Sequence, residues 1–365
     1  MKRLIIATFL IFLAVVAGIL LIRNKKPDTN ITAQTTRVGV LLPGACEDGS
    51  FCQTHYDALN AVKDELNLEI IYREFVPEDE TCYHTILELV EGERCDVIIA
   101  ASFGYGEFEA AVADMYPKVC FLYATGTRNR SNMASYMGRM YQARYLSGIV
   151  AGMRTETGEI GYVAAFPISE VIRGINAFTL GVHSVRPDAV IHVEYCNSWI
   201  DDAGAGKASR DLFKKYPIDV VAMHTNSLQP HIEAEKRGIW SVGYNMDNAS
   251  KFPNGYLTAC EWRWETYYHD QILSYLQGKF HGTHVWISME DGALGLSPLT
   301  DNVVEGTAEA VKKAKARLTS RTFDVFYGPV IDNKGKVRVQ EGESMSDNEM
   351  LNHFDWYVEG VYVEE

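Results

Sequence analysis

From Arg37 onward, short apolar runs alternate with amphipathic stretches. Val38 to Leu42 reads as a buried strand, Phe51 to Leu66 as a helix, Leu68 to Tyr72 as a strand, Cys82 to Val90 as a helix and Asp96 to Ala101 as a strand. Glu107 to Tyr116 and Val119 to Ala124 repeat the pair. After a helix over Met140 to Arg154 the rhythm restarts: strand at Ile160 to Ala165, helix at Glu170 to Val185, strand at Val190 to Tyr195, helix at Gly206 to Lys215. Asp219 to His224, Ile232 to Lys236 and Trp240 to Tyr244 add strand, helix and strand. Two such βαβ series predict an α/β protein of two doubly wound parallel-sheet lobes joined by a hinge. Beyond Tyr256 the pattern is mixed, with helices over Thr266 to Leu276 and Thr307 to Thr319 and a turn at Asp332 to Gly335 between two strands.

The N-terminus follows a different pattern. Met1-Lys2-Arg3 precede an uncharged apolar run of 19 residues, Leu4 to Ile22, which Arg23, Lys25 and Lys26 close. That length spans a bilayer as a helix and exceeds a usual signal-peptide core, so the run reads as a transmembrane signal anchor, with a cleaved signal peptide as the alternative. Pro27 to Thr36 are polar and aperiodic and read as a linker. The expected organisation is therefore 1–26 anchor or signal peptide, 27–36 linker, 37–152 lobe I, 153–256 lobe II, and 257–365 a return segment packing mainly on lobe I.

At 365 residues, 47% hydrophobic and 22% charged, the chain is an ordinary globular one with room for two lobes. Its net charge of -14 argues against nucleic acid as a partner, since phosphate backbones are held by clustered cations. Seven cysteines include no CxxC pair and none lies at zinc spacing with histidine, so no metal or other cofactor is expected. Cys95, Cys120, Cys196 and Cys260 sit in or beside strand-like runs and read as small buried residues, whereas one disulfide among Cys46, Cys52 and Cys82 stays open.

Ligands of open parallel sheets sit beyond the carboxyl ends of the strands. The loops there carry Phe51, Tyr105, Trp199 and Tyr244, rings that can stack on a flat heterocycle or simply fill a hinge. Asp48, Ser50, Ser102, Asn226, Asn245 and Asp247 can add oriented polar contacts, although Asp48 and Ser50 also stand where a helix cap would. No GxSxG elbow or HExxH pair is present, and Gly204 to Ser209 lacks the positions of a phosphate loop, so the chain reads as a binding protein and not an enzyme.

Four stretches carry a resemblance: Ala101 to Gly106, Phe166 to Phe178, Ala222 to Thr225 and Asp355 to Val361. In them the chain resembles the basic-membrane-protein family, the PnrA-like substrate-binding proteins of ABC transporters, over nearly all of Arg37 to Glu365. The resemblance implies a type I periplasmic-binding-protein fold, a purine nucleoside or base as ligand, and a permease and ATPase as partners. Nucleoside-binding members resemble Asp-x-Ser-Phe-Asn-Gln in the first loop, where this chain has Asp48-Gly49-Ser50-Phe51-Cys52-Gln53. They place a ligand-reading Asp that falls at or near Asp247 here, and a ribose-reading Lys where this chain has Trp262. Trp264-Glu265-Thr266-Tyr267-Tyr268 is similar to a Trp-x-x-Tyr-Tyr of members that bind a free base such as adenine, which adds Trp262 and Trp264 to the candidate site.

The expectation is thus an extracytoplasmic, membrane-anchored solute-binding protein that captures a free purine for an ABC transporter. The alternative is an anchored purine or nucleoside sensor without a transport role.

Overall fold

The computed structural model of the protein describes residues 35–363. The expected anchor, the linker up to residue 34 and the last two residues lie outside them. Among the described residues no helix is long and apolar enough to cross a membrane.

In chain order the strands are β1 (Thr36–Leu41), β2 (Leu68–Arg73), β3 (Val97–Ala100), β4 (Cys120–Ala124), β5 (Met133–Gly138), β6 (Glu159–Ala164), β7 (Val190–Tyr195) and β8 (Val220–His224). They continue with β9 (Trp240–Asn245), β10 (Tyr256–Trp262), β11 (His284–Ile287), β12 (Leu294–Leu296), β13 (Val330–Ile331), β14 (Val337–Val339) and β15 (Val361–Val363). One sheet has the order β11-β5-β4-β3-β1-β2 and is parallel throughout. The other has the order β12-β10-β9-β8-β6-β7-β15 and is parallel except for β12. Strands β3, β4 and β8 are buried along their whole length. Parallel strands covered on both faces need this, which is why they appear in the sequence as unbroken apolar runs.

The helices are α1 (Phe51–Lys63), α2 (Glu80–Leu87), α3 (Gly106–Met115), α4 (Tyr141–Arg154), α5 (Ser169–His183), α6 (Asp202–Lys215), α7 (Gln229–Glu235), α8 (Glu265–Leu276), α9 (Thr307–Thr319) and α10 (Asp347–Asn352). The chain passes between the sheets three times: from β5 into α4, from β10 into α8, and from β11 into β12.

These passages correct the expected boundaries. Helix α4 packs on α5 and β10 of the second sheet, so lobe I ends near Gly138 and not at residue 152. Strand β10 pairs with β9, which carries lobe II on to Trp262. Of the segment 257–365, only α8 and β11 lie with the first sheet. Strand β12 pairs with β10, β15 with β7, α9 packs on α4 and α10 on α5, so the C-terminal region belongs to lobe II. The physical reason is edge pairing: β15 covers the open edge of β7, with Val361 opposite Ile191.

Helices α4 and α5 approach unusually closely. A Cβ on Gly148 would stand 2.0 Å from the Phe178 carbonyl oxygen, and one on Gly181 would stand 2.0 Å from that of Tyr145. Only glycine fits at these crossings, and their closeness sets α4 tightly against the helix that opens beneath the strand ends. All seven cysteines are free thiols; Cys95, Cys120 and Cys260 are buried, and Cys196 is half-buried.

Candidate functional site

The loops after β1, β8 and β9 meet where the carboxyl ends of the two sheets face each other. Asn245, the last residue of β9, is fully buried and holds a left-handed backbone with φ +72°. Asparagine tolerates that region better than most residues. Its Nδ2 donates to Ser50 Oγ at 2.8 Å and to Asn226 Oδ1 at 2.9 Å, and its Oδ1 accepts from Trp262 Nε1 at 3.0 Å. Asn248 Nδ2 donates to the Gly49 carbonyl at 3.0 Å. Gly49 has φ +70°, and a Cβ there would strike Lys251 Nζ at 2.7 Å. The lobes are thus joined by two amide side chains of lobe II reaching the tip of the β1–α1 loop.

Aromatic rings continue this junction from lobe to lobe. Phe51 lies edge-on to His55 at 4.6 Å, His55 stacks on Trp264 at 5.7 Å, and Trp264 stacks on Trp262 at 4.6 Å. Tyr244 follows at 6.5 Å from Trp262, His224 at 4.6 Å from Tyr244, Trp199 at 6.0 Å from His224, and Phe166 at 6.0 Å from Trp199. Phe51, Trp199 and Phe166 at the two ends are half-buried, while Trp262 and Trp264 are 6% and 1% exposed. A Cβ on Gly138 would meet the Trp262 ring at 2.4 Å, so the bare backbone of the first crossover makes the seat for this indole.

Beneath the rings the two lobes differ in charge. On the lobe I side, Tyr136 and Tyr268 hydroxyls share a hydrogen bond of 2.6 Å and Tyr268 shares another of 2.6 Å with His55 Nδ1. Burial pushes the His55 imidazole down to about 3, so the ring is neutral. On the lobe II side, the fully buried Arg144 guanidinium lies 4.1 Å over Tyr244 and donates from Nη1 to the Met223 carbonyl at 2.7 Å. Arg173 is 3% exposed and donates to the Met350 carbonyl at 2.5 Å. Burial raises the Glu170 carboxyl above its ordinary range against the pull of Arg173 and Arg144. Burial and the same two cations hold the His224 imidazole well below its ordinary value. Several buried polar atoms here have no partner: His55 Nε2, Trp264 Nε1, His224 Nε2, and Arg144 Nε and Nη2. Such atoms are costly unless a ligand or water completes them.

Of the residues singled out from sequence, Ser50, Phe51, Trp199, Asn226, Tyr244, Trp262 and Trp264 come together in this cleft. Four others stand elsewhere. Asp48 caps α1, its carboxylate accepting from the amides of Ser50, Cys52 and Gln53 at 2.7, 3.0 and 3.0 Å. Ser102 bonds to Glu78. Tyr105 is fully buried in the core behind the first sheet, its hydroxyl donating to the Val76 carbonyl at 2.5 Å. Asp247 is exposed and closes its own turn by accepting from Ala249 N at 2.9 Å, because the strand-end position that faces the cleft is Asn245, two residues earlier. Sequence reading passed over Arg144, His55 and Glu170, which come from helices and not from strand-end loops. The signal available for Arg144 was a lone cation inside an otherwise apolar helical run.

A groove in the C-terminal segment, bordered by Lys336, Arg338, Glu343, His353 and Trp356, is separate from the cleft. Among the described residues no cluster of acidic, histidine and cysteine side chains could hold a metal ion.

Comparison with known proteins agrees with this architecture. Residues 35–323 match the family described as ABC transporter substrate-binding protein PnrA-like. A putative ABC transporter glucose-binding protein of Haloferax volcanii is 35% identical over 308 residues, 84% of this chain and 75% of that one. A purine-binding protein of Brucella abortus is 30% identical over 327 residues, 89% of this chain and 92% of that one. Among solved structures, an ABC transporter solute-binding protein from Conexibacter woesei superposes with a TM-score of 0.68 at 18% identity, covering 79% of this chain and 98% of that one, which speaks for the fold alone. The chain belongs to the PnrA-like family of ABC transporter substrate-binding proteins, extracytoplasmic binders and not enzymes.

Proposed function

We propose that the protein captures a purine as the free base in the cleft between its lobes and delivers it to an ABC permease and its ATPase, the N-terminal apolar run holding it at the membrane. Trp262 carries this reading. The indole stands at the position where nucleoside-binding relatives resemble one another in a ribose-reading lysine, and it is turned inward, stacked on Trp264 and tied to Asn245. A bulky ring whose only donor is already committed leaves neither the room nor the cation that a sugar hydroxyl would use. The half-buried Phe51, Phe166 and Trp199 supply faces for a flat heterocycle, and Asn226 beside them supplies polar contact. Support also comes from the Brucella abortus relative, which is named for purine binding.

Closure follows from differential contact: only with the lobes together do both sets of rings touch one ligand. The test is calorimetric titration of the full chain in detergent with hypoxanthine, guanine, adenine, adenosine and glucose. Binding of at least one free base, with adenosine weaker than adenine, is expected. Adenosine binding more tightly than every base would overturn the free-base reading, and glucose binding without any purine would overturn the ligand class.

A further inference from the structure

Arg144 is fully buried, yet it uses only one side of its guanidinium. Nη1 donates to the Met223 carbonyl, whereas Nε and Nη2 have no partner and no access to water. Those two nitrogens form the lateral edge of the fork, whose parallel N–H bonds grip two adjacent acceptors. The group cannot turn freely to find others, because its plane rests on Tyr244 at 4.1 Å and Nη1 is tied to the end of β8. His224 shares its neighbour: its ring lies 4.6 Å from the Tyr244 ring on which Arg144 rests, and its Nε2 is likewise buried without a partner. A Cβ on Gly174 would lie 2.9 Å from His224 Cε1 and Nδ1 and 3.7 Å from Arg144 Nε, so α5 comes up to both side chains with bare backbone and offers neither a side-chain partner at that point.

Purines differ in what they offer such an edge. A 6-oxopurine presents O6 and N7, two adjacent acceptors, to which an arginine bonds in bidentate fashion; adenine presents a donor amine next to N7 and is matched by an amide side chain. The amide of Asn245 is committed on both atoms, to Ser50 and Asn226 through Nδ2 and to Trp262 through Oδ1. Building on the free-base reading above, we infer that the Nε and Nη2 edge of Arg144 reads the O6 and N7 edge of a 6-oxopurine, so that hypoxanthine and guanine are preferred to adenine. The base is taken up while the lobes are apart, since Nε and Nη2 are closed off from solvent with the lobes together.

The test uses the full chain in detergent and four probes: hypoxanthine, guanine, adenine and 7-deazahypoxanthine. The wild type is expected to bind hypoxanthine about tenfold or more tighter than adenine, and tighter than 7-deazahypoxanthine, which lacks the N7 acceptor. Arg144→Gln is expected to reverse the order of hypoxanthine and adenine, and Arg144→Lys to bring their ratio near one, because a lysine keeps the charge but not the fork. A role in packing alone would lower all affinities together and leave the ratio unchanged. Should the variants fold poorly, the wild-type comparison of hypoxanthine with 7-deazahypoxanthine decides the matter. Adenine binding as tightly as hypoxanthine in the wild type would overturn the assignment of Arg144 and leave the purine reading standing. Binding of no purine at all would overturn both.

Discussion

The two walls of the cleft are built from similar rings, but one is neutral and the other charged. Lobe I contributes Phe51, His55, Tyr136 and Tyr268, a neutral wall whose polar atoms bond mostly to one another. Lobe II contributes Tyr244, His224 and Trp199 over two buried guanidiniums, of which Arg144 is half-satisfied. If Arg144 reads the ligand as inferred above, the lobes have different work: the charged wall discriminates among ligands, while the neutral one covers whatever the other has accepted. Neutrality suits a covering wall, because a lid that carried a charge would lose hydration each time it closed.

The largest way to break this comparison lies under the charged wall. Gly181→Val places side-chain carbon against the Tyr145 carbonyl, where neither backbone can yield, and separates α4, which carries Arg144, from α5, which carries Glu170 and Arg173. A loss of about 3 kcal/mol in urea unfolding is expected. A variant as stable as wild type would mean the helices can slide, and that the charged wall is not rigidly held.

A middle-sized effect tests the neutrality of the lobe I interior behind that wall. Glu109 on α3 is fully buried, neither carboxylate oxygen has a partner, and burial raises its proton affinity well above the ordinary range. The folded state thus keeps a proton that the unfolded chain releases above its ordinary value of 4.5. The stability cost is absent below that pH and grows as pH rises toward the folded value. Glu109→Gln is therefore expected to stabilise the protein by about 1–3 kcal/mol at pH 7 and by nothing at pH 4, read from urea midpoints at the two pH values. Destabilisation at pH 7 would show that lobe I needs a charge after all.

The smallest effect concerns Asp247. Because its carboxylate serves its own turn, Asp247→Ala should cost about 0.5 kcal/mol in thermal unfolding and change purine affinity by less than about twofold. A tenfold loss of affinity would place it back in the discriminating wall.

Much of the fold was legible because burial writes itself into local sequence. Val190–Tyr195 and Thr307–Thr319 run as their patterns predict, residue for residue. Strand β5, with the sequence MASYMG, escaped notice because small and sulfur-bearing residues give neither alternation nor an apolar run, although all six are buried. Strands β11, β12 and β15 are three or four residues long and exist through partners far along the chain, such as Val361 opposite Ile191. No local pattern encodes such pairing, and the misplaced C-terminal region follows from it. In the site, strand-end logic reached Ser50, Asn226 and Tyr244, but Asp247 and Tyr105 show its weakness: a loop residue can face either way. Arg144 lay outside that logic, because tertiary packing and not chain position carries it to the cleft.

The side chain of Asn245 has a further consequence. One amide binds the tip of lobe I, a loop of lobe II and the indole of a crossover, and Asn248 grips the same tip one residue earlier. Ser50 and Gly49 are neighbours on a single turn, so they leave together or not at all. Partial opening would therefore strand buried donors, and on the proposed function a loaded closed state would empty in one step. On that reading residence time, more than capture, is what this junction would set: the dwell of the loaded form, and with it the interval in which a permease could find it, would depend on two hydrogen bonds breaking at once.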